Sequence, residues 1–133
     1  MIMIDYEVKS SPVHGAGLFT RQDIRAGDLI AVASPSLDVN ITPDVFESLT
    51  QREQDEILYW GFFDENYTGG GVFHVDFDNT KFINHSLDGN VMQDAAHHEM
   101  YLVAARDVVA GEELTQNYLE FETVKDLERR GIK

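Results

Sequence analysis

The residues best suited to chemistry lie in one short run, Phe-Ile-Asn-His-Ser-Leu-Asp-Gly-Asn, at positions 82–90. Its first asparagine, Asn84, carries a hydrogen-bond donor and an acceptor on one rigid amide, and His85 adds a ring whose protonation is adjustable near neutral pH. A pocket that must hold a polar heterocycle against apolar walls needs residues of this kind. A turn after a strand, capped by an Asn or Ser side chain, uses the same residues, so the run alone leaves both interpretations open.

Two other segments favour the pocket interpretation of residues 82–90 over the capped turn. Residues 15–19 read Gly-Ala-Gly-Leu-Phe, and residues 111–118 read Gly-Glu-Glu-Leu-Thr-Gln-Asn-Tyr. In this order and at these separations, the three segments together resemble the SET domain, the fold of protein lysine methyltransferases. The resemblance covers roughly residues 5–121. It implies a mainly β fold with some α-helix, made of several short β-sheets, and a pseudoknot in which the C-terminal segment threads through a loop of the Asn-His-Ser region.

The resemblance also implies roles for individual residues in methyl transfer from S-adenosyl-L-methionine. The tyrosine that ends the Glu-Leu-Thr motif, Tyr118, would be the catalytic residue, with its hydroxyl beside the sulfonium methyl group and the incoming nitrogen. Asn84 and His85 would bind the cofactor, Asn84 near its amino-acid end and the His85 main chain against the adenine. Asn90 would fix the loop.

The glycine-rich segment completes the cofactor-binding set. Two glycines that flank one small residue permit positive φ angles and a close approach of another molecule to the backbone. A lone Gly-x-Gly is more often a tight turn than a ligand loop. By the resemblance, the backbone of Gly15, Ala16 and Gly17 would approach the methionine moiety of the cofactor and its carboxylate.

Methyl transfer to lysine needs neither a metal nor a strong general base. Displacement at a sulfonium requires in-line alignment, exclusion of water and an unprotonated amine. Free lysine has a pKa of about 10.4, and a narrow, apolar, tyrosine-lined channel lowers it by desolvation. The favoured function is therefore a protein-lysine N-methyltransferase acting on a histone, histone-like or ribosomal protein. A catalytically inactive SET-like module that only binds a basic partner is the alternative.

Several positions depart from the family pattern. The Cys-x-Pro that usually follows Asn-His-Ser is Leu-Asp-Gly at 87–89, so the zinc-binding post-SET arrangement is absent and residues 119–127 are expected to close the lysine channel. Gln116 stands where many members carry Phe or Tyr that limits the number of methyl groups added, which leaves product multiplicity undecided. Tyr59 and Tyr67 are candidates for a second channel tyrosine.

Composition bounds the class of protein and its partners. The chain has 133 residues, with 24 acidic against 10 basic side chains and a net charge of −14. Such a surface repels nucleic acid and attracts a basic protein or peptide, although acidity can also serve solubility alone. No segment predicts a membrane span or a signal peptide, and there is no cysteine. We expect one domain over residues 1–133 and a cytoplasmic location, with nuclear or host-delivered locations left open; a homodimer is also left open.

Strands and turns must position these motifs. Alternating or continuous apolar residues predict strands at 4–8, 72–77 and 100–105. Residues 23–28 and 107–112 echo one another, each placing Ala-Gly at the tip of a turn that feeds a strand. We therefore predict two similarly built hairpins.

The middle and the end of the chain predict helices. Thr42 before a proline and a capping box that starts at Thr50 indicate two helix starts, and Gly61 is a plausible end. Residues 42–61 are thus predicted to form a small helical insert with an acidic outer face. Apolar residues at helical spacing predict a short helix within 121–130, in a C-terminal tail of residues 119–133.

Two histidine-containing stretches raise the question of a metal. His74, Asp76 and Asp78 share one face of a predicted strand, although three polar residues at a period of two usually form its solvated face. His97 and His98 are adjacent and favour a loop over a ligand pair. No metal is expected.

Overall fold

The computed structural model describes residues 1–65 and 70–132. In these residues, short strands far outnumber helices, which confirms the predicted mainly β fold. The strands are β1 (Tyr6–Ser10), β2 (Ala16–Thr20), β3 (Leu29–Val32), β4 (Val39–Ile41), β5 (Phe62–Asp64), β6 (Val72–Val75), β7 (Asn84–His85), β8 (Val91–Gln93), β9 (Tyr101–Ala104) and β10 (Glu113–Gln116). The helices are α1 (Pro43–Ser48), α2 (Gln51–Trp60) and α3 (Val124–Arg129), with 3-10 turns at Asn79–Phe82 and Tyr118–Glu120. Within the described ranges, no helix is long and apolar enough to cross a membrane.

The larger sheet has seven strands in the order β1-β2-β10-β8-β9-β3, with β7 added against β10. Strand β10 pairs antiparallel with β2, where Leu114 lies opposite Leu18, and both leucines are fully buried. They belong to one apolar cluster with Ile30, Leu102 and Val108, among others. Burying side chains of this size against one another is the main stabilising contribution to such a sheet.

The smaller sheet, in the order β4-β6-β5, carries the helical insert. The Thr42 side chain accepts the Val45 N–H at the start of α1, and Thr50 forms the predicted capping box at the start of α2. Gly61 caps the end of α2, so both predicted starts and the predicted end are confirmed. Phe46 of α1 is 1% exposed and stacks on Phe73 of β6 with ring centroids 3.9 Å apart.

The two echoing turns lie side by side. Ile24 and Val108 exchange both of their backbone hydrogen bonds, at 2.7 and 2.8 Å. Asp23 and Asp107 each accept a backbone N–H from the opposite turn, at 2.9 Å. The two similar turns were predicted as separate hairpins, and the structure shows in addition that they are hydrogen-bonded to each other.

Strand β10 runs between β7 and β8 and underneath the loop that joins them. It pairs in parallel with both, since Gln116 lies opposite His85 on one edge and opposite Val91 on the other. The loop crosses β10 so closely that a Cβ atom on Gly89 would lie 2.7 Å from the Thr115 carbonyl oxygen. Asn90 holds the crossing, donating to the Glu113 carbonyl at 2.8 Å and accepting the Thr115 N–H at 2.9 Å. The predicted pseudoknot is present, and Asn90 fixes it.

The first prediction tests this crossing. We expect Gly89→Ala to lower the free energy of unfolding by about 2 to 4 kcal/mol, because the added methyl group meets backbone atoms that cannot rotate away. Urea denaturation followed by circular dichroism measures the loss. Asp88→Ala is the matched control, since that side chain is 99% exposed and should cost no more than about 0.5 kcal/mol. Equal stability of the two variants would contradict the tight crossing.

Candidate functional site

Asn84 ties the start of β7 to the glycine-rich loop. Its amide nitrogen donates to the carbonyl oxygens of His14 and Ala16, both at 3.0 Å. The side chain is 8% exposed, and its amide oxygen has no hydrogen-bond partner among the described residues. The arrangement leaves one fixed acceptor beside the loop. Gly15, with φ of +45° and no atom within 4 Å of its Cβ position, adds open space there.

Gly17 serves a different purpose from Gly15. A Cβ atom at Gly17 would lie 2.6 Å from Oε1 of Glu113 and 2.9 Å from Cβ of Ser11. The Ser11 hydroxyl donates a hydrogen bond to that same Glu113 carboxylate oxygen. The side chain of Glu113, from the Glu-Leu-Thr motif, thus packs directly against the glycine-rich strand. Sequence reasoning missed the part played by Ser11, which has no motif of its own.

Tyr118 joins the pseudoknot to the site. Its backbone N–H donates to Nδ1 of His85 at 3.0 Å, and its hydroxyl donates to the carbonyl oxygen of Ile83. Burial raises the pKa of Tyr118 to about 12, so the phenol stays neutral at physiological pH. Because its proton is directed at Ile83, the lone pairs of the hydroxyl oxygen remain available to a neighbouring group.

A cavity of about 280 Å³ lies beside Tyr118. Of the predicted site residues, only Tyr118 lines it; the glycine-rich loop, Asn84 and His85 do not. The predicted residues therefore lie close together but in two regions. Asn84, His85 and the glycine-rich loop form a polar loop region, and Tyr118 lies between this region and the cavity. The described residues that close the cavity with aromatic rings are Tyr59, Trp60, Phe62, Tyr118 and Phe121.

The C-terminal tail forms one wall of this cavity. Phe121 packs between Phe62 and Tyr118, with ring centroids 4.4 and 5.4 Å away. An ion pair between Arg130 and the fully buried Glu122 side chain anchors α3. Burial raises the pKa of Glu122 to about 7, although the charge of Arg130 opposes that rise. Residues 119–127, which were predicted to close a lysine channel, contribute Glu120 and Phe121 to the lining of this cavity.

Amide and carboxylate groups line another wall. The Glu120 carboxylate accepts the Gln93 backbone N–H at 3.1 Å and the Gln116 side-chain amide at 3.2 Å. Sequence reasoning missed Gln93 and Glu120 as residues of this wall, because neither belongs to one of the three motif segments. Of the two candidate channel tyrosines, Tyr59 lies at the mouth with 69% of its surface exposed, and Tyr67 falls outside the described residues.

A buried histidine lies between carboxylates behind the cavity. His74 places Nε2 at 3.0 Å from Asp76 and 3.4 Å from Asp38, while Nδ1 lies 2.7 Å from the Asn40 side-chain oxygen. Asp78, predicted to share its face, instead caps the 3-10 turn at residues 79–82. Burial alone would lower the pKa of His74, but the hydrogen bond and charge of Asp76, with the charges of Asp38 and Asp64, outweigh it and raise that pKa.

The side chains of Asp38, His74 and Asp76 could hold a metal ion, because their ligand atoms lie within 4.8 Å of one another. Both nitrogens of the His74 ring face acceptor oxygens, which suits an imidazolium that donates two hydrogen bonds. Its second proton occupies the position that a metal ion would take between Asp38 and Asp76. The three side chains form a buried network of ion pairs between His74 and the two carboxylates.

Both the sequence and the fold are similar to those of known proteins. The family model described as "SET domain" matches residues 15–119. Histone-lysine N-methyltransferase 2B of Homo sapiens is 30% identical over 125 residues, which are 84% of this chain and 4% of that protein. Histone-lysine N-methyltransferase trithorax of Drosophila virilis is 28% identical over 123 residues, 81% of this chain and 3% of that protein. The chain thus spans only a few per cent of the length of these relatives.

Solved structures share the fold. A Chaetomium thermophilum Polycomb Repressive Complex 2 structure, ctPRC2 in an autoinhibited conformation bound to S-adenosylmethionine, matches with a TM-score of 0.69 and 26% identity, over 96% of this chain and 17% of that one. The Neurospora SET domain protein DIM-5, a histone lysine methyltransferase, matches with a TM-score of 0.63 and 20% identity, over 92% of this chain and 55% of that one.

The second prediction concerns His74. A raised pKa in the folded state means that its ion pairs stabilise the fold fully below the ordinary pKa of 6.5, and that this contribution is lost as pH rises through the folded-state pKa. His74→Gln should therefore cost about 3 kcal/mol of unfolding free energy at pH 6, because two buried carboxylates lose their cation. The difference from wild type should shrink towards pH 9. Denaturant unfolding at a series of pH values measures it.

His98→Gln, at an exposed histidine, is the control for this series and should follow the wild-type curve at every pH. A His74→Gln deficit that stays constant from pH 6 to 9 would show that no imidazolium is present.

Proposed function

Because this chain belongs to the SET domain family, we propose that it is an S-adenosyl-L-methionine-dependent methyltransferase that modifies a lysine side chain of a basic protein. One observation supports this most directly: the pseudoknot places Tyr118 against His85, 33 positions away in sequence, with Asn84 beside it and the cavity on the far side of the ring. A cofactor region and a substrate cavity that meet at one buried hydroxyl suit transfer of a group between two molecules.

The polar loop region fits the cofactor. The unpartnered Asn84 amide oxygen is a suitable acceptor for the cofactor's ammonium group, and the open backbone at Gly15 admits the methionine portion. His85, whose Nδ1 accepts the Tyr118 N–H, presents its main chain beside them. When bound, S-adenosyl-L-methionine supplies a methyl group on a sulfonium, which departs as a neutral thioether.

Tyr118 acts in this proposal by position and polarity and does not take up a proton. Its phenol, with a pKa of about 12, is too weak an acid to be ionised near pH 7, so no phenolate base is available. The hydroxyl proton is donated to the Ile83 carbonyl, which fixes the oxygen and leaves its lone pairs free to accept from the reacting groups. Such an oxygen can orient an amine or a polarised methyl group in line for displacement.

The cavity suits a long, cationic side chain that must lose its charge before reacting. Aromatic rings of Phe62, Phe121 and Tyr118 exclude water at the inner end, which lowers the pKa of an amine placed there. The nucleophilic nitrogen needs its lone pair free, and the proton that it sheds leaves to solvent before transfer. The net charge of −14 favours a basic protein, histone or histone-like, as the substrate.

The third prediction separates cofactor binding from transfer. Asn84→Ala should weaken the binding of S-adenosyl-L-methionine about 10- to 100-fold, because a hydrogen bond to a charged group is lost. Tyr118→Phe should bind the cofactor almost as wild type does but transfer methyl groups to histones about 100-fold more slowly. Calorimetric titration and a radiolabelled methyl-transfer assay measure the two effects.

Asn79→Ala, at an exposed asparagine of the 3-10 turn, is the control and should change neither measurement. Binding by the wild type without turnover on any basic protein would instead favour a SET-like module that only captures a basic partner. An absence of binding by the wild type would overturn the methyltransferase proposal for this chain.

A further inference from the structure

Lys81 makes an unusual contact at the mouth of the cavity. Its ammonium nitrogen lies 3.2 Å from the centroid of the Trp60 ring, 4.5 Å from that of Tyr59 and 4.6 Å from that of Phe82. Among the described residues, no carboxylate pairs with it and no hydrogen bond involves its side chain. Aromatic faces alone therefore hold this cation, by attraction between the charge and the ring quadrupoles.

The two rings contributed by α2 are held in place and remain accessible. The Trp60 indole N–H donates to the Glu56 carboxylate at 3.0 Å, and the Tyr59 ring meets Trp60 edge-on at a centroid distance of 5.3 Å. Tyr59 is 69% exposed and Trp60 is 45% exposed, which is high for aromatic side chains of this size. A fixed but exposed pair of rings can receive a cation from another molecule.

We propose that Lys81 occupies a binding site for a cationic side chain of the substrate, and that a lysine or arginine near the target residue displaces it. The inference rests on the proposed function and deepens it, since the occupant belongs to the same basic protein. Lys81 is then an internal competitor that keeps the aromatic pair covered in the free protein.

Charge and mobility both favour such an exchange. Three acids of α2, Glu53, Asp55 and Glu56, outnumber its one base, Arg52, which lies 3.7 Å from Glu56, so the approach to the rings is acidic. A peptide ammonium gains the same ring contacts that Lys81 gives up, and it gains the attraction of these carboxylates as well. Because a lysine side chain is flexible and this one makes no hydrogen bond to the residues that the structure describes, Lys81 can move into solvent without breaking the fold.

A purely structural role for Lys81 predicts a different effect of its removal on peptide binding. If Lys81 were a fixed wall of the cavity, its removal would weaken the binding of a basic peptide or leave it unchanged. If Lys81 is a competitor, its removal must strengthen binding, and the peptide must push it off the rings in the wild type.

The experiment uses Trp60, the only tryptophan of the chain, as its reporter. An octalysine peptide is titrated into wild type, Lys81→Ala and Lys125→Ala while Trp60 fluorescence is recorded. We expect Lys81→Ala to bind about fivefold tighter than wild type, since a competing ring contact at a partly exposed site is removed. Lys125→Ala removes the same charge at an exposed position of α3 and should change the affinity for the peptide less than twofold.

A second measurement needs no variant. The methylene protons next to the Lys81 nitrogen lie against Trp60 and should resonate upfield in the NMR spectrum of wild type. Octalysine should return them to ordinary lysine positions as the Trp60 fluorescence changes. Failure of these protons to move while peptide binds would overturn the inference, as would equal affinity of Lys81→Ala and wild type.

The two proposals fail separately, because peptide binding is measured without methyl transfer. Methylation of histones by a protein whose Lys81 does not respond to peptide would overturn the inference and leave the proposed function standing. Displacement of Lys81 by peptide, with no methylation of any basic protein, would support the cation site and overturn the enzymatic proposal.

Discussion

The structure depends on the passage of β10 between β7 and β8. Two short strands flank it, and the connecting loop crosses it at Gly89 with no room for a side chain. Chains rarely thread through their own loops, and closing a loop costs conformational entropy that contacts in the folded state must offset. Asn90 contributes such contacts, with two hydrogen bonds to the backbone of β10. The crossing fixes the position of Tyr118, because that residue leaves β10 directly beside His85.

Much of this could be predicted because the relevant signals are local. Thr42, Thr50 and Gly61 mark helix ends through side-chain and backbone hydrogen bonds within a few residues, and all three act as expected. The motif segments contain the residues that meet at the polar loop region. Their meeting was anticipated from family resemblance and not from periodicity, because nothing in a local pattern encodes a parallel pairing of β7 with β10.

The parts that escaped prediction depend on contacts between distant segments. Asp38, directly before β4 and more than thirty residues earlier in the chain, joins His74 and Asp76. Asp78 caps the 3-10 turn and is not part of this group. Glu120 reaches Gln93 across 27 positions. Neither pair has a spacing that a helix or strand period would flag, so only the folded sheet order could reveal them.

For the proposed transfer to lysine, the cavity would have to attract a cation and then favour its neutral form, and these demands conflict. Deprotonating a lysine at pH 7 costs about 4.6 kcal/mol. A nearby carboxylate, or an aromatic face that the cation contacts directly, adds to that cost, whereas exclusion of water by buried rings lowers it. The described residues separate the two tasks in space. Exposed rings and acidic groups of α2 lie at the mouth, where Tyr59 is 69% exposed. Towards Tyr118, three carboxylates have partners: His74 pairs with Asp76, Arg130 pairs with Glu122, and two N–H groups donate to Glu120. Attraction therefore dominates at the entrance and desolvation at the buried end, so an amine would lose its proton on the way in and not before it enters.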